Sequence, residues 1–596
     1  MQKLINRDSI DAKYKWRLTD LVASDDDWED LYSQISTRMQ ELIDYQGKLA
    51  DESSLLECLD LESDLSEKFG RLIAYATMHY HTDESNTKYQ AMTDRVERLA
   101  VKFGEITSFI TPELTKFSTT RLSDIASKSE FVAYAPYLKK IIKDKRHILS
   151  EKEEKLLSKV GSFSGGFENI FSMIDNVDIK WDKVKTPEGD MDMSHGRYSY
   201  FLQSPDRKVR KRAFTSMFGA YKDIINTISA VYSGSVKKDV FYAEARGYKS
   251  AMAKALSRED INPKVYTNLL SSIHGALKTL HSYVAYRKKA LGYDKLHMYD
   301  MYVPICEGAD IKLEYEDACD LVKKALGVMG EDYISVINTA LTDGWVDVYE
   351  NKGKRSGAYS WGVYGVHPYV LFNYTKTTHD VFTIAHELGH AMHSYYSSHA
   401  QPYACHDYEI FVAEIASTVN EVLLIKYLLA STEDKKLKKY LLSYFLDMFR
   451  TTIFRQTMFS EFEKFSHEKV EQGQPLTWEV MSDEYHRLNR QYYGKSVVSD
   501  DLIRYEWARI PHFYSAFYVY KYATGMICAV TIADRIFRGE EGALEKYKEF
   551  LSIGGSKTPL ETLAVAGLDL VSTKEVFKTA MKVFEDTLIQ LKSLDD

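Results

Sequence analysis

The amino-acid sequence predicts a mainly α-helical fold that carries one small β element. Glycine and proline are scarce, with 30 and 11 among 596 residues, which disfavours a β architecture rich in turns. Apolar residues recur at helical spacing over long stretches, for example in 53–81 and 88–117. Helix-starting signals support this pattern. Ser150 and Glu153 form a capping box, and Asn262 precedes a proline that would open the next helix.

The overall composition is that of a globular protein with a large core, since 45 % of the residues are hydrophobic and 27 % are charged. A net charge of −9 without any basic block argues against nucleic acid as a partner. The first residues lack an apolar signal core, and no stretch reaches the roughly 18 apolar residues that a membrane span needs. Five scattered cysteines without C-x-x-C spacing indicate reduced thiols. We therefore expect a cytoplasmic protein with no role at a membrane.

A break in the helical pattern divides the chain near residue 200. A glycine-rich stretch is followed by segments 177–185 and 191–201, which have the character of a small hairpin. Helical periodicity resumes after Ser204. We therefore predict an N-terminal helical lobe over 1–200 and a catalytic domain over 201–596, which holds the motifs described next.

The sequence His-Glu-Leu-Gly-His, an H-E-x-x-H motif, lies within a stretch of helical pattern. On a helix, His386 and His390 project from one face, one turn apart, so that two neutral imidazoles can bind one Zn²⁺. Glu387 then lies close enough to act as a base on a water held by the metal. An apolar run at 368–374 predicts a strand ahead of this helix, and Gly389 would let another backbone approach closely. The alternative is an amphipathic helix with two histidines buried for packing.

A zinc enzyme of this kind needs a third protein ligand and an open fourth position. A second predicted helix, from Phe411 to about Leu429, carries Glu414 and Glu421 on one face because they are seven residues apart. Periodicity does not choose between them, and Asn420-Glu421 resembles the Asn-Glu pair that carries the third ligand in thermolysin-like enzymes. The apolar neighbours of Glu414 would make an unpaired carboxylate there costly, so we predict Glu414 as the third ligand.

The two helices together resemble a known family. Segments 386–394 and 411–421 are similar to the zinc motifs of the thimet oligopeptidase and neurolysin family, and within it to oligoendopeptidase F. Because further matches lie outside these motifs, the likeness spans nearly the whole chain. These further matches are the segments 15–21, 356–359, 510–525 and 554–559.

The resemblance carries expectations about the fold and the metal. It implies one Zn²⁺ per chain, held by His386, His390 and Glu414. It also implies a large, mainly α-helical metallopeptidase with two lobes around a deep central channel. Such a channel admits short oligopeptides and excludes folded proteins.

A segment rich in histidine and tyrosine, 512–522, is a second candidate for chemistry. Attack of water on a peptide carbonyl develops an oxyanion, which a neutral phenol or imidazole donor stabilises. In the family that the chain resembles, a histidine and tyrosines of the matching loop have this role. The resemblance therefore implies catalytic roles for His512, Tyr514, Tyr518 and Tyr520. The alternative for each tyrosine is ordinary packing.

These observations predict a zinc endopeptidase that hydrolyses internal bonds of short oligopeptides, with Glu387 as the general base. The strand at 368–374 is expected to pair its edge with the substrate backbone. One alternative is a metallo-exopeptidase, a carboxypeptidase or peptidyl-dipeptidase, which would need a cation such as Arg504 or Arg509 to hold a terminal carboxylate. The other is a non-catalytic peptide-binding helical protein. Glu387 argues against it, since binding zinc alone does not require that residue.

Overall fold

Helices dominate the computed structural model, which describes residues 5–306 and 311–595. The structure is 72 % helical and 3 % strand, which confirms the predicted mainly α-helical class. The predicted helix starts are present as well. Ser150 and Glu153 form a capping box, and Asn262 caps the helix that begins at Pro263.

The α-helices follow one another along the described chain and are joined by turns, loops, short strands, and 3₁₀ and π-helical segments. In the first part of the chain they are α1 (Asp25–Arg38), α2 (Glu52–Thr82), α3 (Thr87–Thr107), α4 (Ile110–Thr115), α5 (Thr119–Ala126), α6 (Ala135–Asp144), α7 (Glu151–Ser164), α8 (Gly166–Met173), α9 (His195–Leu202), α10 (Arg207–Asp223), α11 (Ile225–Ala245) and α12 (Ala251–Ser257). The later helices are α13 (Pro263–Ala290), α14 (Tyr315–Ala325), α15 (Glu331–Thr342), α16 (Thr378–Ala400), α17 (Ile410–Ser431), α18 (Lys435–Met448), α19 (Arg455–Glu471), α20 (Trp478–Tyr493), α21 (Tyr520–Phe537), α22 (Ala543–Ser552), α23 (Pro559–Val565) and α24 (Glu575–Ser593).

Within residues 5–306 and 311–595 the strands are short and form three small sheets. They are β1 (Val184–Thr186), β2 (Gly189–Met191), β3 (Leu296–His297), β4 (Val346–Asp347), β5 (Tyr359–Trp361), β6 (Tyr369–Leu371) and β7 (Val497–Val498). Strands β1 and β2 form an antiparallel hairpin. This hairpin is shorter than the predicted one, because most of its expected second half lies in α9.

The three-stranded sheet that precedes α16 has the order β4-β6-β5. Strand β6 pairs with β4 in parallel and with β5 in antiparallel fashion, so both of its edges are occupied. The prediction that the strand at 368–374 offers an edge to a substrate is therefore wrong. Its partner β4 lies more than twenty residues earlier in the chain, and local sequence does not reveal such a pairing. The edge strand on the other side of β6 is β5.

The chain folds into two compact units, each assembled from three separate segments. Unit 1 comprises Met1–Arg146, Asp310–Tyr427 and Ile532–Leu568. Unit 2 comprises His147–Ala309, Leu428–Thr531 and Asp569–Asp596. The predicted division at residue 200 stays a prediction.

The core of unit 1 joins the N-terminal helices to the sheet. Trp28 of α1 and Leu72 of α2 are fully buried in the same apolar cluster as Tyr369 and Leu371 of β6. Trp16 belongs to this cluster, and its indole N–H donates to the Val370 carbonyl oxygen over 2.8 Å. The N-terminal segment thus supports the strand that leads into α16. None of the helices in the described part of the chain is both long and apolar enough to span a membrane.

Candidate active site

Helix α16 carries the H-E-x-x-H motif, and its start is fixed by side-chain hydrogen bonds. The Thr377 hydroxyl accepts the Asp380 amide N–H over 3.2 Å, and the Asp380 carboxylate accepts the Thr377 N–H over 2.9 Å. This capping box fixes the start of the helix, and the negative charge of Asp380 suits the helix dipole. The cap sets where the helix begins and hence where His386 and His390 emerge.

Helix α17 packs directly on α16 at Gly389. A Cβ atom on Gly389 would lie 2.5 Å from Ser417 Cα and 2.6 Å from the Ala416 carbonyl oxygen, so only glycine fits without displacing backbone. Three residues further along α17, the Asn420 side chain donates to the Ala385 carbonyl oxygen over 3.1 Å. The predicted close approach of another backbone at Gly389 is therefore confirmed.

The packing of the two helices brings three donor atoms together. The Nε2 atoms of His386 and His390 are 3.2 Å apart, and each lies 3.6 Å from Oε2 of Glu414. Tetrahedral Zn²⁺ with ligands at about 2.0–2.1 Å places its donor atoms roughly 3.3 Å apart, so these residues fit one zinc ion. The Glu414 side chain is 48 % exposed, which leaves this side of the site accessible to water and substrate.

Glu421 contacts the other nitrogen of His386. Its Oε1 lies 2.5 Å from Nδ1, so that Nε2 of the same ring is left to face Glu414. Burial lowers the pKa of His386, but the hydrogen bond to Glu421 and the surrounding carboxylates raise it overall to about 9. A carboxylate on the second nitrogen fixes the tautomer and orientation of a metal-binding histidine. Sequence reasoning considered Glu421 only as a possible metal ligand. Its position seven residues after Glu414, on the same face of the helix, is equally suited to this supporting contact.

Two further polar side chains of α16, Glu387 and His393, are buried. The Glu387 side chain is only 7 % exposed, and burial raises the pKa of its carboxyl group, which favours a general base. His393 is fully buried, stacks on the Tyr408 ring at 3.6 Å, and has no hydrogen-bond partner on either nitrogen among the described residues. Burial lowers the pKa of His393 to about 3, so this ring is neutral and serves packing.

The aromatic loop, defined here as residues 512–522, lies in unit 2. His512 is exposed, and Tyr518 and Tyr522 are half-buried. The Tyr522 hydroxyl lies 3.3 Å from Nε2 of His512, and the Tyr518 ring is nearly parallel to the imidazole at 5.8 Å between centroids. These three side chains therefore form one partly exposed cluster of hydrogen-bonding groups.

Tyr514 and Tyr520 point into the core of unit 2, with 4 % and 1 % exposure. Tyr514 stacks on Phe171 at 4.5 Å, and Tyr520 packs against Tyr266 at 5.2 Å. Burial raises the pKa of both phenols well above the usual range. The catalytic roles predicted for His512, Tyr514, Tyr518 and Tyr520 stay predictions. Sequence reasoning left out Tyr522, whose spacing of four residues from Tyr518 is the signal that could have found it.

Comparison with known proteins places the chain in a family. Residues 200–582 match the model of Peptidase family M3, and residues 113–181 match that of Oligopeptidase F. The chain belongs to peptidase family M3. Family membership confirms the predicted zinc metalloendopeptidase and its zinc cofactor, while the assignment of individual ligands stays a prediction.

Relatives in the M3 family match along nearly the whole chain. Oligopeptidase PepF of Bacillus subtilis is 41 % identical over 99 % of this chain and 89 % of its own length. Group B oligopeptidase PepB of Streptococcus agalactiae is 38 % identical, with 99 % and 98 % covered. The crystal structure of oligoendopeptidase-F from Enterococcus faecium has a TM-score of 0.74 at 32 % identity, covering 96 % of this chain and 99 % of that one. A solved chain from Chlamydophila abortus has a TM-score of 0.93 at 35 % identity, covering 99 % of this chain and all of that one.

Proposed function

We propose that this M3 peptidase hydrolyses internal bonds of short oligopeptides, with zinc held by His386, His390 and Glu414. The observation that carries the proposal is the convergence of one donor atom from each of these residues, all within 4.8 Å of one another. The substrate class is supported by the relatives, which are oligopeptidases and oligoendopeptidases by name.

The protein's own groups would move the protons of the reaction. Bound zinc lowers the pKa of a water that it holds toward about 7 and polarises the scissile carbonyl. Glu387 takes a proton from the attacking water on a carboxylate oxygen and then delivers it to the nitrogen of the leaving amine. Glu421 keeps the His386 ring in the ligand orientation through its 2.5 Å contact with Nδ1.

We expect the substrate backbone to pair with β5, because both edges of β6 are already occupied by other strands. Strand β5 lies at an edge of its sheet, and main-chain pairing at an edge accepts many side-chain sequences. Strand β5 continues into Gly362, where a Cβ atom would lie 2.6 Å from Cβ of Ser394 on α16. The edge strand and the helix with the ligands are therefore in direct contact, as a shared substrate site requires.

The aromatic loop would supply donors to the oxyanion. His512 is exposed and Tyr518 and Tyr522 are half-buried, which supports them over the buried Tyr514 and Tyr520 for this role. A donor aimed at the developing negative charge contributes only in the transition state.

The contacts of Arg504 favour endopeptidase over exopeptidase action. Arg504 forms ion pairs with Asp483 and Asp501 within unit 2, whereas an exopeptidase would need a cation reserved for a terminal carboxylate. Arg509 lies 3.9 Å from Glu506, a carboxylate that also pairs with Arg455 at 2.6 Å, so its contacts favour neither reading.

The proposal also includes the domain boundary and the location of the protein in the cell. We place the start of the catalytic domain near residue 201, which the family match from residue 200 supports. A reducing, cytoplasmic location is supported by the cysteines, all five of which are free thiols.

A peptide blocked at both ends tests the proposed function. The zinc-loaded enzyme should cleave an acetylated and amidated peptide of about ten residues at internal bonds, and a chelator should abolish this cleavage. Mass spectrometry of the products decides the outcome. Cleavage of free-ended peptides alone, with release of one or two terminal residues, would establish exopeptidase action.

A further inference from the structure

A buried carboxyl group in unit 2 holds the turn of the aromatic loop. Phe517 lies at the centre of this turn and has a φ of 54°, in the left-handed region that residues with a Cβ atom rarely adopt. Its amide N–H donates to Oε1 of Glu463 over 2.6 Å. Glu463 lies on α19 and is fully buried. A strained backbone of this kind persists only where the surrounding structure fixes it, and this hydrogen bond is such a constraint.

The Phe517 side chain is held by the same helix. His467, one turn after Glu463 on α19, lies against the Phe517 ring at 4.6 Å between centroids. Nδ1 of His467 bonds to the Glu463 carbonyl oxygen at 2.9 Å, and Nε2 lies 3.4 Å from Asp239. Tyr266 also packs edge-on against Phe517, at 5.7 Å between centroids. The turn is therefore fixed at its amide by Glu463 and at its side chain by two aromatic rings.

The fixed turn stands next to the proposed donors. Tyr518 follows Phe517 directly, and its ring meets His512 at 5.8 Å and Tyr522 at 5.5 Å. A change in the backbone at Phe517 would rotate Tyr518 out of this cluster. Displacement of a catalytic group by about 1 Å can lower a rate by on the order of 10²-fold.

Only one oxygen of the Glu463 carboxyl group is engaged. Oε2 has no hydrogen-bond partner among the described residues. Burial raises the pKa of Glu463 to about 8, although His467 and the Phe517 amide oppose this shift. The group is thus largely uncharged at neutral pH and acts as a hydrogen-bond acceptor for the amide, which a glutamine side chain could replace.

We propose that Glu463 is a positioning residue for catalysis, which holds His512, Tyr518 and Tyr522 in place by accepting the hydrogen bond of the Phe517 amide. It does not touch the substrate. The inference rests on the proposed role of the aromatic loop and adds a residue that no sequence motif indicates.

Two substitutions of matched size test this role in the zinc-loaded enzyme. Glu463→Met keeps the side-chain length and removes the acceptor, and should lower kcat about 10–100-fold with KM changed only a few-fold. Glu463→Gln keeps an acceptor oxygen and should retain kcat within a few-fold. Glu468→Met, at a half-buried position of the same helix that pairs with Lys464, should behave like the wild type.

Hydrogen exchange gives a readout that is independent of activity. Deuterium uptake by residues 515–519 should rise in Glu463→Met and stay at the wild-type level in Glu463→Gln, with zinc content unchanged in both. Should Glu463→Met fail to fold, Glu463→Asp withdraws the carboxyl group by one methylene and should show the same increase in uptake and a smaller loss of kcat.

Several outcomes would overturn the inference. Wild-type kcat in Glu463→Met, equal losses in the Met and Gln variants, or lowered thermal stability without a change in kcat would each reduce Glu463 to a packing role. If Tyr518→Phe and Tyr522→Phe keep wild-type kcat while uptake at 515–519 still rises in Glu463→Met, the proposed donors fail and the structural part of the inference stands.

Discussion

The metal-binding helices of unit 1 and the aromatic loop of unit 2 position their polar groups in opposite ways. On α16 and α17 the backbone is helical, and the donor atoms converge because the two helices touch at Gly389. In the loop the backbone is irregular, and its turn at Phe517 depends on a hydrogen bond to a different helix. The first arrangement follows from residue spacing along a helix, whereas the second follows from contacts between segments far apart in sequence.

The two regions also differ in how deeply their predicted functional side chains are buried. All three predicted ligands are at least partly accessible, because they lie on the face that the helix period assigns to them. Of the predicted tyrosines, Tyr518 is half-buried, but Tyr514 and Tyr520 are inside the core. Substitutions in each region can therefore show how far function depends on spacing and how far on tertiary contacts.

The largest effect is expected from the loss of the third ligand. Glu414→Ala should lose zinc and with it all activity, because two imidazoles remain. Glu421→Ala should keep the metal with an affinity lowered about 10–100-fold, since it removes only the support of His386. Glu409→Ala, at a neighbouring exposed position, serves as the control. Metal content after matched dialysis is the measurement, and a greater loss from Glu421→Ala would exchange the roles of the two glutamates.

The next largest effect is expected from Glu387→Gln. The three ligands survive, so zinc content should equal that of the wild type. Turnover should fall by ~10²–10⁴-fold or more, because the group that takes the proton from water and delivers it to the leaving amine is lost. Single-turnover rates on a metal-loaded sample are the measurement. Wild-type turnover with zinc bound would contradict the mechanism derived from the helix pair.

The aromatic loop should respond more weakly and unevenly. If Tyr518 or Tyr522 donates to the oxyanion, its Tyr→Phe variant should lower kcat by ~10²–10³-fold with little change in KM. The same change at Tyr514 or Tyr520 should leave kcat within a few-fold, since it deletes a hydroxyl inside the core. Steady-state kinetics on one peptide for all four variants are sufficient. A large loss confined to the buried pair would mean that the loop rearranges before catalysis.

The smallest effect, on stability, probes the contact between the helices. Gly389→Ala should lower the free energy of unfolding by about 1–3 kcal/mol, because overpacking against the Ser417 backbone forces α16 and α17 apart. Gly70→Ala on α2 is the matched control, since a Cβ atom there meets nothing within 4 Å. The control should be neutral or stabilising by roughly 0.5–1 kcal/mol. Denaturant unfolding of both variants measures the difference, and equal stabilities would show that the helices separate without strain.

The sequence by itself determined the helical class, the capping box at Ser150, and the role of Gly389. It also identified the helix faces that carry the three predicted ligands. These features depend on local periodicity and on side chains that bond to nearby backbone, so that a short window of sequence contains the physical cause. Motif matches elsewhere along the chain predicted membership of the zinc metallopeptidase family, which the comparisons confirm.

Tertiary structure alone decided which strand has a free edge, which nitrogen of His386 meets Glu421, and which tyrosines are buried. Strand β6 is enclosed by β4, a strand more than twenty residues earlier in the chain. Phe517 takes its left-handed conformation against Glu463, 54 residues earlier. Such contacts depend on how separate elements pack against one another, and no local pattern of residues specifies that packing.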